Sequence, residues 1–225
     1  MQLNDYAANT KNIIPRHIAD LIANGEGQTL DFKFEINDAK KLAKTLVAFA
    51  NTDGGILLIG VKDNGKIAGI KSDEEMYMIE SAARIFSKPA IPYEIKIWQI
   101  GKKNILEVII PKSNLRPHYA KNDKNKWIAY IRNKDKTLMA NKVLIDVWKN
   151  SKYPKPIKII YSRKEQLLLN YLTDNKFITI KEFVNLAQIS YKLAQKILVD
   201  FILLDIIGIQ ITEKEALYYL KNNSK

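Results

Sequence analysis

The 225-residue chain is 47% hydrophobic and 27% charged, a composition that suits one large or two small globular domains. It contains no cysteine, which excludes disulfides, thiolate metal sites and cysteine nucleophiles, and no apolar run approaches the roughly 20 residues that span a membrane. With 36 basic and 24 acidic residues, the formal net charge of +12 indicates a polyanionic partner.

Periodic patterns predict a helix, a strand and a second helix in the first 50 residues. Ile13 to Ala23 places its apolar residues on one face, as a short leading helix does. Thr29 to Glu35 alternates polar and apolar residues like a half-buried strand, so Asp31 and Lys33 share one polar face. Asn37 is a suitable cap for the next helix, in which apolar residues recur at three- and four-residue spacing.

Glycine and proline then divide the chain into strands and one further helix. Asn51 to Gly55 and Asp63 to Lys66 predict tight turns, and Ser72 to Phe86 combines a capping box with the spacing of an amphipathic helix. Up to this point the pattern is that of helices packed on one mixed sheet. The predicted strands are Ile56 to Val61, Ile67 to Ile70, Tyr93 to Ile100 and Ile105 to Ile110.

The segment from Lys112 to Lys136 is loop-like and strongly basic, with aromatic residues between its charges. Basic groups neutralise phosphates and aromatic rings stack on unpaired bases, so this mixture predicts a nucleic-acid-binding surface. The alternative is a solvated loop whose aromatics, Trp127 and Tyr130 in a strand from Trp127 to Arg132, fill the core. The residues predicted to bind nucleic acid are Arg116, His118, Tyr119, Lys121, Lys124, Lys126, Arg132 and Lys134.

A second domain is predicted after a proline-containing linker. Leu138 to Trp148 has the pattern of an amphipathic helix that closes the first domain, and the prolines near Tyr153 to Ile157 interrupt any helix. Three helices follow, the third from Ser190 to about Leu204, and then a two-stranded hairpin from Ile206 to Leu220. This order of elements predicts a winged helix-turn-helix.

The third helix of this domain carries a polar start and an apolar remainder. Its first turns are predicted to enter the major groove through Tyr191, Lys192, Gln195 and Lys196. The apolar residues from Ile197 onward exceed what one core face needs, which leaves open a contact with a second copy of the chain. A domain used only for protein contacts is the alternative.

The motifs of the first domain resemble those of a known family. Glu26, the run Asp31 to Lys33, the run Ala48 to Gly55 and Ile59 to Val61, each in this order and spacing, are similar to the Schlafen AlbA-like domain of many bacterial proteins. The resemblance covers roughly Ile18 to Val147. It implies nucleic-acid binding, because some family members are transcriptional regulators, a few of them with a winged helix after the AlbA-like domain, and animal Schlafens carry a metal-dependent RNase site of three carboxylates.

A carboxylate set is the strongest indication of an enzyme. Oxygen ligands from carboxylates hold Mg²⁺ or Mn²⁺, which activates water, while a lysine neutralises charge. Glu26 and Asp31 match two Schlafen catalytic positions, so the candidate catalytic residues are Glu26, Asp31, Lys33 and Asp63, with the metal on the three carboxylates. The alternative is structural, with Asp31 and Lys33 as an ion pair and Asp63 in a turn.

A phosphate-binding loop is excluded at the only similar stretch. Gly60 to Lys66 fits the start of a P-loop, but Ile67 stands where a Ser or Thr hydroxyl is needed and the chain continues as a strand. ATP is therefore not expected as a cofactor.

The sequence predicts an α+β protein with a Schlafen AlbA-like domain at 1–150, a linker at 151–157 and a small winged helix-turn-helix domain at 158–225. The favoured function is a DNA-binding transcriptional regulator that needs no cofactor, with RNA left open as the nucleic acid. The second hypothesis is a metal-dependent endoribonuclease that acts on structured RNA with Mg²⁺ or Mn²⁺. A cytoplasmic location is expected in either case, because the first residues lack the pattern of a secretory signal.

Overall fold

A computed structural model describes residues 14–152, 156 and 161–221. We call the elements before the fourth helix the N-terminal part. They are α1 (Arg16–Asn24), β1 (Leu30–Lys33), α2 (Ala39–Asn51), β2 (Gly55–Ile59), α3 (Glu74–Arg84), β3 (Ser87–Lys88), β4 (Glu94–Ile100), β5 (Lys103–Ile110), β6 (Tyr119–Lys121), β7 (Trp127–Ile128), β8 (Tyr130–Asn133) and β9 (Lys136–Met139).

The fourth helix, α4 (Lys142–Lys152), is followed by the elements that we call the C-terminal part. They are α5 (Arg163–Asp174), α6 (Ile180–Ala187), α7 (Tyr191–Leu203), β10 (Ile207–Ile211) and β11 (Ala216–Leu220). The chain is thus of the predicted α+β class. Within the described residues, no helix combines the length and the apolar character that crossing a membrane requires.

A four-stranded sheet in the order β1-β2-β5-β4 organises the N-terminal part. Strands β1 and β2 are parallel and are connected through α2, whereas β2–β5 and β5–β4 are antiparallel. Alternate residues of a strand point to opposite faces. Leu57 and Ile59 therefore pack with α2 and α3 on one face, while Leu58 packs with Phe32 and with Ile18 of α1 on the other.

Helix α2 is the most deeply buried helix of the N-terminal part, with an unbroken buried run from Thr45 to Asn51. Its cap is Asp38, whose carboxylate accepts the N–H groups of Lys40 and Lys41, one residue later than the predicted cap at Asn37. After α2, Gly54 has φ +75° and a Cβ there would lie 2.7 Å from the backbone nitrogen of Lys112. The predicted glycine turn is therefore also a close backbone contact.

The basic segment predicted as a loop forms short strands in two small sheets. One sheet has the order β3-β6-β7 and the other contains β8 and β9. The strand predicted from Trp127 to Arg132 is wrong in extent, because β7 ends at Ile128 and β8 begins a different sheet at Tyr130. The second strand of the glycine hairpin is likewise reduced to a single bridge between Val61 and Ile67.

The C-terminal part contains the three helices and the hairpin that its sequence predicts. Thr179 and Glu182 form a capping box at α6, and the Ser190 hydroxyl accepts the N–H of Leu193 at the start of α7. Strands β10 and β11 are antiparallel, and Ile178 adds a bridge to Tyr218. That these elements form a winged helix-turn-helix remains a prediction.

Helix α4 belongs to the packing of both parts. Leu138 and Met139 lie in β9, so the helix begins at Lys142 and not at Leu138. Val143 packs in the same cluster as Leu198 of α7, while Trp148 packs with Ile131 of β8. The linker predicted at 151–157 lies largely outside the described residues, so the domain boundary also remains a prediction.

The shared helix leads to a prediction about proteolysis. We expect limited proteolysis to cut first within residues 151–157, because the prolines of the sequence predict a linker there. We further expect the two fragments to co-elute in native size-exclusion chromatography, because α4 packs against α7. Denaturing electrophoresis of the eluted peak reports both points. Fragments that elute separately would show that α4 does not hold the two parts together.

Candidate nucleic-acid interface

The β6–β7 hairpin presents lysines and an exposed tryptophan on one surface. Lys124 and Lys126 are exposed in the turn, Lys121 is half-buried, and Trp127 is 42% exposed. The Lys121 ammonium lies 6.0 Å from the centre of the Trp127 ring. The turn is held by Asn122, whose side chain accepts the N–H of Lys126 at 2.8 Å. A fixed turn thus positions both the charges and the ring.

Lysines from α2 and β3 extend this surface. Lys44 of α2 lies 3.9 Å from Asp123 in the hairpin turn, and Lys40 lies over the ring of Phe86. Lys88 of β3 is exposed and pairs in register with Tyr119 of β6. The sequence alone places Lys40 and Lys44 off the apolar stripe of α2. It gives no indication that these lysines lie near the hairpin. We call the following set the basic face: Lys40, Lys44, Lys88, Lys121, Lys124, Lys126 and Trp127.

Three other predicted contact residues lie apart from the basic face or partly within the fold. Arg116 is half-buried, with its guanidinium 5.9 Å from the Trp148 ring centre and Nη1 donating to the Asn51 carbonyl at 3.4 Å. Tyr119 packs in the cluster that contains Trp148. Lys134 is exposed in the β8–β9 turn, where its N–H donates to Gln28. No contact connects Lys134 with the basic face among the described residues.

His118 is fully buried, so its placement does not fit the predicted contact with nucleic acid. Its Nδ1 lies 2.9 Å from the Pro89 carbonyl oxygen and its Nε2 lies 2.7 Å from the Ser113 hydroxyl. A carbonyl only accepts, so Nδ1 carries the proton and Nε2 of the neutral ring accepts from Ser113. Burial lowers the pKa of His118, and the positive charge of Lys152 lowers it further. The side chain therefore joins loops as a neutral group.

This neutral histidine predicts a pH dependence of stability. The unfolded chain takes up a proton at His118 near pH 6.5, whereas the folded chain does so only at lower pH, since its pKa is lowered. Stability due to the neutral ring is complete above about pH 6.5 and declines as pH falls towards the folded pKa, by at most about 1.4 kcal/mol per pH unit. Urea denaturation at several pH values measures this slope.

The control for that experiment is a comparison of variants. His118→Gln should be less stable at pH 7.5 but should lose part of the slope between pH 7 and pH 5. His17→Gln leaves His118 in place and should therefore keep the part of the pH slope that His118 contributes. A His118→Gln slope identical to that of the parent would contradict the prediction.

Arg132 is also buried and has a structural partner. Its Nη2 donates to Asp31 Oδ1 at 2.9 Å, and the two side chains are only 2% and 6% exposed. Lys33 Nζ lies 2.5 Å from Asp31 Oδ2 without hydrogen-bond geometry, so the Arg132 bond is the directional one. Arg132 therefore does not offer a surface charge to a duplex, contrary to its predicted role. The ion pair of Asp31 and Lys33 agrees with the structural alternative, with a second cation added.

The predicted metal ligands are not brought together. Glu26 is exposed and its carboxylate accepts the N–H of Phe32 at 2.8 Å, while Asp63 lies in an exposed turn. Asp31 is already neutralised by Lys33 and Arg132. Among the described residues, no group of three His, Asp or Glu side chains is placed to hold a metal ion. The residues present at Glu26, Asp31 and Asp63 thus do not fit a shared Mg²⁺ or Mn²⁺.

The predicted contact residues at the start of α7 differ in accessibility. Tyr191 is 55% exposed, and Lys192 and Lys196 are exposed as well. Gln195 is half-buried and donates through Nε2 to Asp146 of α4 at 2.6 Å. The two lysines are therefore free to meet phosphates, whereas base contact by Gln195 would first require loss of its bond to α4.

Two solved structures are each similar to about half of this chain. No curated protein matches the chain. One similar solved structure is the N-terminal domain of a RecG-related protein from Nitrosomonas europaea, named after the ATP-dependent DNA helicase. It is 26% identical to this chain, and the matched region covers 47% of this chain and 81% of the other. The TM-score is 0.40. A protein from Corynebacterium diphtheriae is 18% identical to this chain, and the matched region covers 55% of this chain and 24% of the other. The TM-score is 0.42.

The family model described as Schlafen, AlbA_2 matches residues 26–141, from just after α1 to just before α4. The match contains the four-stranded sheet, the two small sheets and the basic hairpin. It covers more than half of the chain, and the chain belongs to the Schlafen AlbA_2 family.

Proposed function

We propose that this protein binds nucleic acid through the basic face and acts as a DNA-binding transcriptional regulator. The observation that carries the proposal is the β6–β7 hairpin, where Lys124, Lys126 and a 42% exposed Trp127 stand on a turn held by its own hydrogen bonds. Lysine ammonium groups beside an exposed aromatic ring are the combination that contacts phosphates and stacks on unpaired bases. Membership in the Schlafen AlbA_2 family supports the same class of ligand.

The chemistry of the basic face explains how such binding would occur. Lysine ammonium groups neutralise phosphates and release condensed counterions, which supplies affinity without choice of sequence. Trp127 stacks on a base wherever a duplex is open or distorted. The basic face alone therefore predicts binding to many sequences.

Sequence choice would come from the C-terminal part. Tyr191 and Lys192 are exposed at the first turn of α7, which is the end that a recognition helix inserts into the major groove. The preceding turn and the β10–β11 hairpin have the order of a winged helix-turn-helix. Duplex DNA is therefore the favoured ligand, and RNA is the alternative that the experiment below separates.

One experiment tests the proposal and the nuclease hypothesis together. The purified chain is incubated with duplex DNA, transfer RNA and ribosomal RNA, each with and without Mn²⁺, and binding and cleavage are scored separately. We expect binding to duplex DNA without added metal and no cleavage. Binding only to RNA would replace the regulator by an RNA-binding role, and cleavage that requires Mn²⁺ would support the nuclease. No binding to any of the three would overturn the proposal.

The α7 surface has its own prediction. We expect the double variant Lys192→Ala/Lys196→Ala to weaken binding to a selected duplex and to random duplex by similar factors, because lysines of this kind contact phosphates. Gln195→Ala should instead lower thermal stability, because it removes the bond to Asp146. Fluorescence anisotropy at one salt concentration and a thermal melt measure the two effects.

The same experiment contains its counter-result. Folded lysine variants that bind both duplexes like the parent would show that α7 does not face DNA. A Gln195→Ala variant that melts like the parent, but whose discrimination between the preferred base and other bases falls by about 1–3 kcal/mol, would support Gln195 as a base-reading residue.

A further inference from the structure

A cleft is lined by residues of both the N-terminal part and the C-terminal part. Its volume is about 890 Å³, within the range of small-molecule sites. The N-terminal part contributes a wall with Gln28, Arg132 and Asn133, and the C-terminal part contributes a wall with Lys176, Phe177 and Tyr219. Isoleucine and leucine side chains from β8, α5 and β10–β11, together with Thr173 and Gln210, complete the lining. None of the hairpin residues of the basic face lines it.

The N-terminal wall contains the buried guanidinium of Arg132, which has one nitrogen without a hydrogen-bond partner among the described residues. Arg132 Nε donates to the carbonyls of Gly27 and Lys134, and Nη2 donates to the carbonyl of Leu30 and to Asp31. Nη1 makes no hydrogen bond within the described chain, and it is not among the polar atoms that are both fully buried and without a partner. Arg132 lines the cleft, where 2% of its side-chain surface is exposed. Four bonds fix the guanidinium, so binding a ligand at Nη1 costs little side-chain entropy.

The charge around Arg132 favours an anion. Asp31 is the carboxylate paired with Arg132, and Lys33 contacts the same carboxylate. These three groups sum to one positive charge, counted from their formal charges. An anionic ligand group at Nη1 would be stabilised by that excess.

The C-terminal wall holds a second cation and two aromatic rings. Phe177 and Tyr219 meet edge to face with ring centres 6.1 Å apart, and Lys176 Nζ lies 5.4 Å from the Phe177 ring centre. The Tyr219 ring lies over Gly208, where even a Cβ would approach its Cζ to 2.2 Å. Lys176 is exposed and forms no ion pair within the described residues. This wall combines two aromatic rings, set edge to face, with a positive charge that has no ion-pair partner among the described residues.

We propose that the cleft binds a nucleobase that carries a phosphate. The aromatic rings and aliphatic lining suit the flat base, and Arg132 and Lys176 suit the phosphate. The nucleotide has two sources: a free mononucleotide, or one residue of a single strand that also contacts the basic face. A free nucleotide would bridge the two parts and stabilise their arrangement, which would make it an effector of the proposed regulator.

The test uses the full chain and isothermal titration calorimetry. The probes are the four ribonucleoside 5′-monophosphates, the matching nucleosides, inorganic phosphate and single-stranded oligonucleotides of each base. We expect at least one monophosphate to bind at least about tenfold more tightly than its nucleoside or inorganic phosphate. The nucleoside lacks the phosphate that the cations would bind, and inorganic phosphate lacks the base that the rings would contact. Tighter binding of the oligonucleotide than of the monophosphate would assign the site to a single strand.

Matched variants keep the result specific to the cleft. Lys176→Glu should weaken nucleotide binding about tenfold or more, whereas Lys181→Glu, the same charge change at an exposed position outside the cleft, should not. Tyr219→Leu should weaken it about tenfold in a variant that remains folded by circular dichroism. Alanine at Lys121, Lys124 and Lys126 should leave mononucleotide binding intact, which separates this site from the basic face. Equal binding by the Lys176→Glu and Lys181→Glu variants, or no binding of any probe, would overturn the proposal.

Discussion

Asp31→Asn is expected to lower the free energy of unfolding by about 3–5 kcal/mol, the usual result of removing one partner from a buried ion pair. Asp31 and Arg132 are 6% and 2% exposed, and their bond of 2.9 Å is the carboxylate contact of the guanidinium. Asparagine would leave the positive charge of Arg132 buried against a neutral amide. Lys33 loses its partner too, but its side chain is 40% exposed and regains water.

Tryptophan fluorescence during urea denaturation measures this loss. Trp98 packs against the cluster that contains Leu30 and Phe32, the neighbours of Asp31 in β1, so the tryptophan signal reports unfolding around Asp31. Asp53→Asn is the matched control, because Asp53 is exposed and pairs with Lys112 at 3.3 Å. We expect that control to change stability by less than about 1 kcal/mol, as exposed pairs do.

A second variant separates an unpaired charge from lost packing. In Asp31→Asn/Arg132→Met the uncompensated charge is gone, so part of the stability should return, although the carbonyls of Gly27, Leu30 and Lys134 lose their donor. A single Asp31→Asn variant that is as stable as the Asp53→Asn control would contradict the structural role of Asp31. The result also bears on the nuclease hypothesis, because loss of cleavage in an Asp31 variant would count as chemistry only where the variant is shown to be folded.

The elements with regular spacing were predictable from sequence, and the short strands were not. Helix α2 and the strands β4 and β5 are long enough for period 3.6 or period 2 to repeat, so their patterns identify them. Strands β6 to β9 have two to four residues each and show no repeat. Their segment is rich in charge and therefore resembles a loop, although its backbone pairs in two sheets.

The candidate site was predictable in composition but not in accessibility. The lysines of the β6–β7 hairpin were predicted and are exposed or half-buried. Arg132 and His118 have the same residue types as a nucleic-acid surface, yet both are buried. What decides their role is a distant partner: Asp31 lies 101 positions before Arg132, and Pro89, whose carbonyl meets the His118 ring, lies 29 positions before His118. A single sequence carries no signal of such pairings.

The basic face is expected to give the largest change in binding. Each lysine that neutralises a duplex phosphate contributes about −0.9 to the slope of log K against log salt. If Lys121, Lys124 and Lys126 each contact one phosphate, their joint replacement by Ala should flatten that slope by about 2.7. At 0.1 M salt this corresponds to a loss of affinity of between two and three orders of magnitude, by the same relation.

A matched triple variant decides whether position or total charge is responsible. Lys62, Lys66 and Lys102 are exposed and lie outside the basic face, so replacing them by Ala removes the same net charge. That variant should keep the slope of the parent within about one unit, since its lysines neutralise no phosphate. Equal slopes for the two triple variants would show that binding follows overall charge, and the hairpin would then be an ordinary solvated surface.

Trp127→Leu completes the argument because it removes the ring without changing charge. The salt slope should remain that of the parent, whereas affinity for single-stranded oligonucleotides should decrease by about 1–3 kcal/mol, the usual contribution of one stacked base. Affinity for an intact duplex, whose bases are already stacked, should change little. A Trp127→Leu variant that binds single strands like the parent would leave the lysines as the sole contact and would make the hairpin a purely electrostatic one.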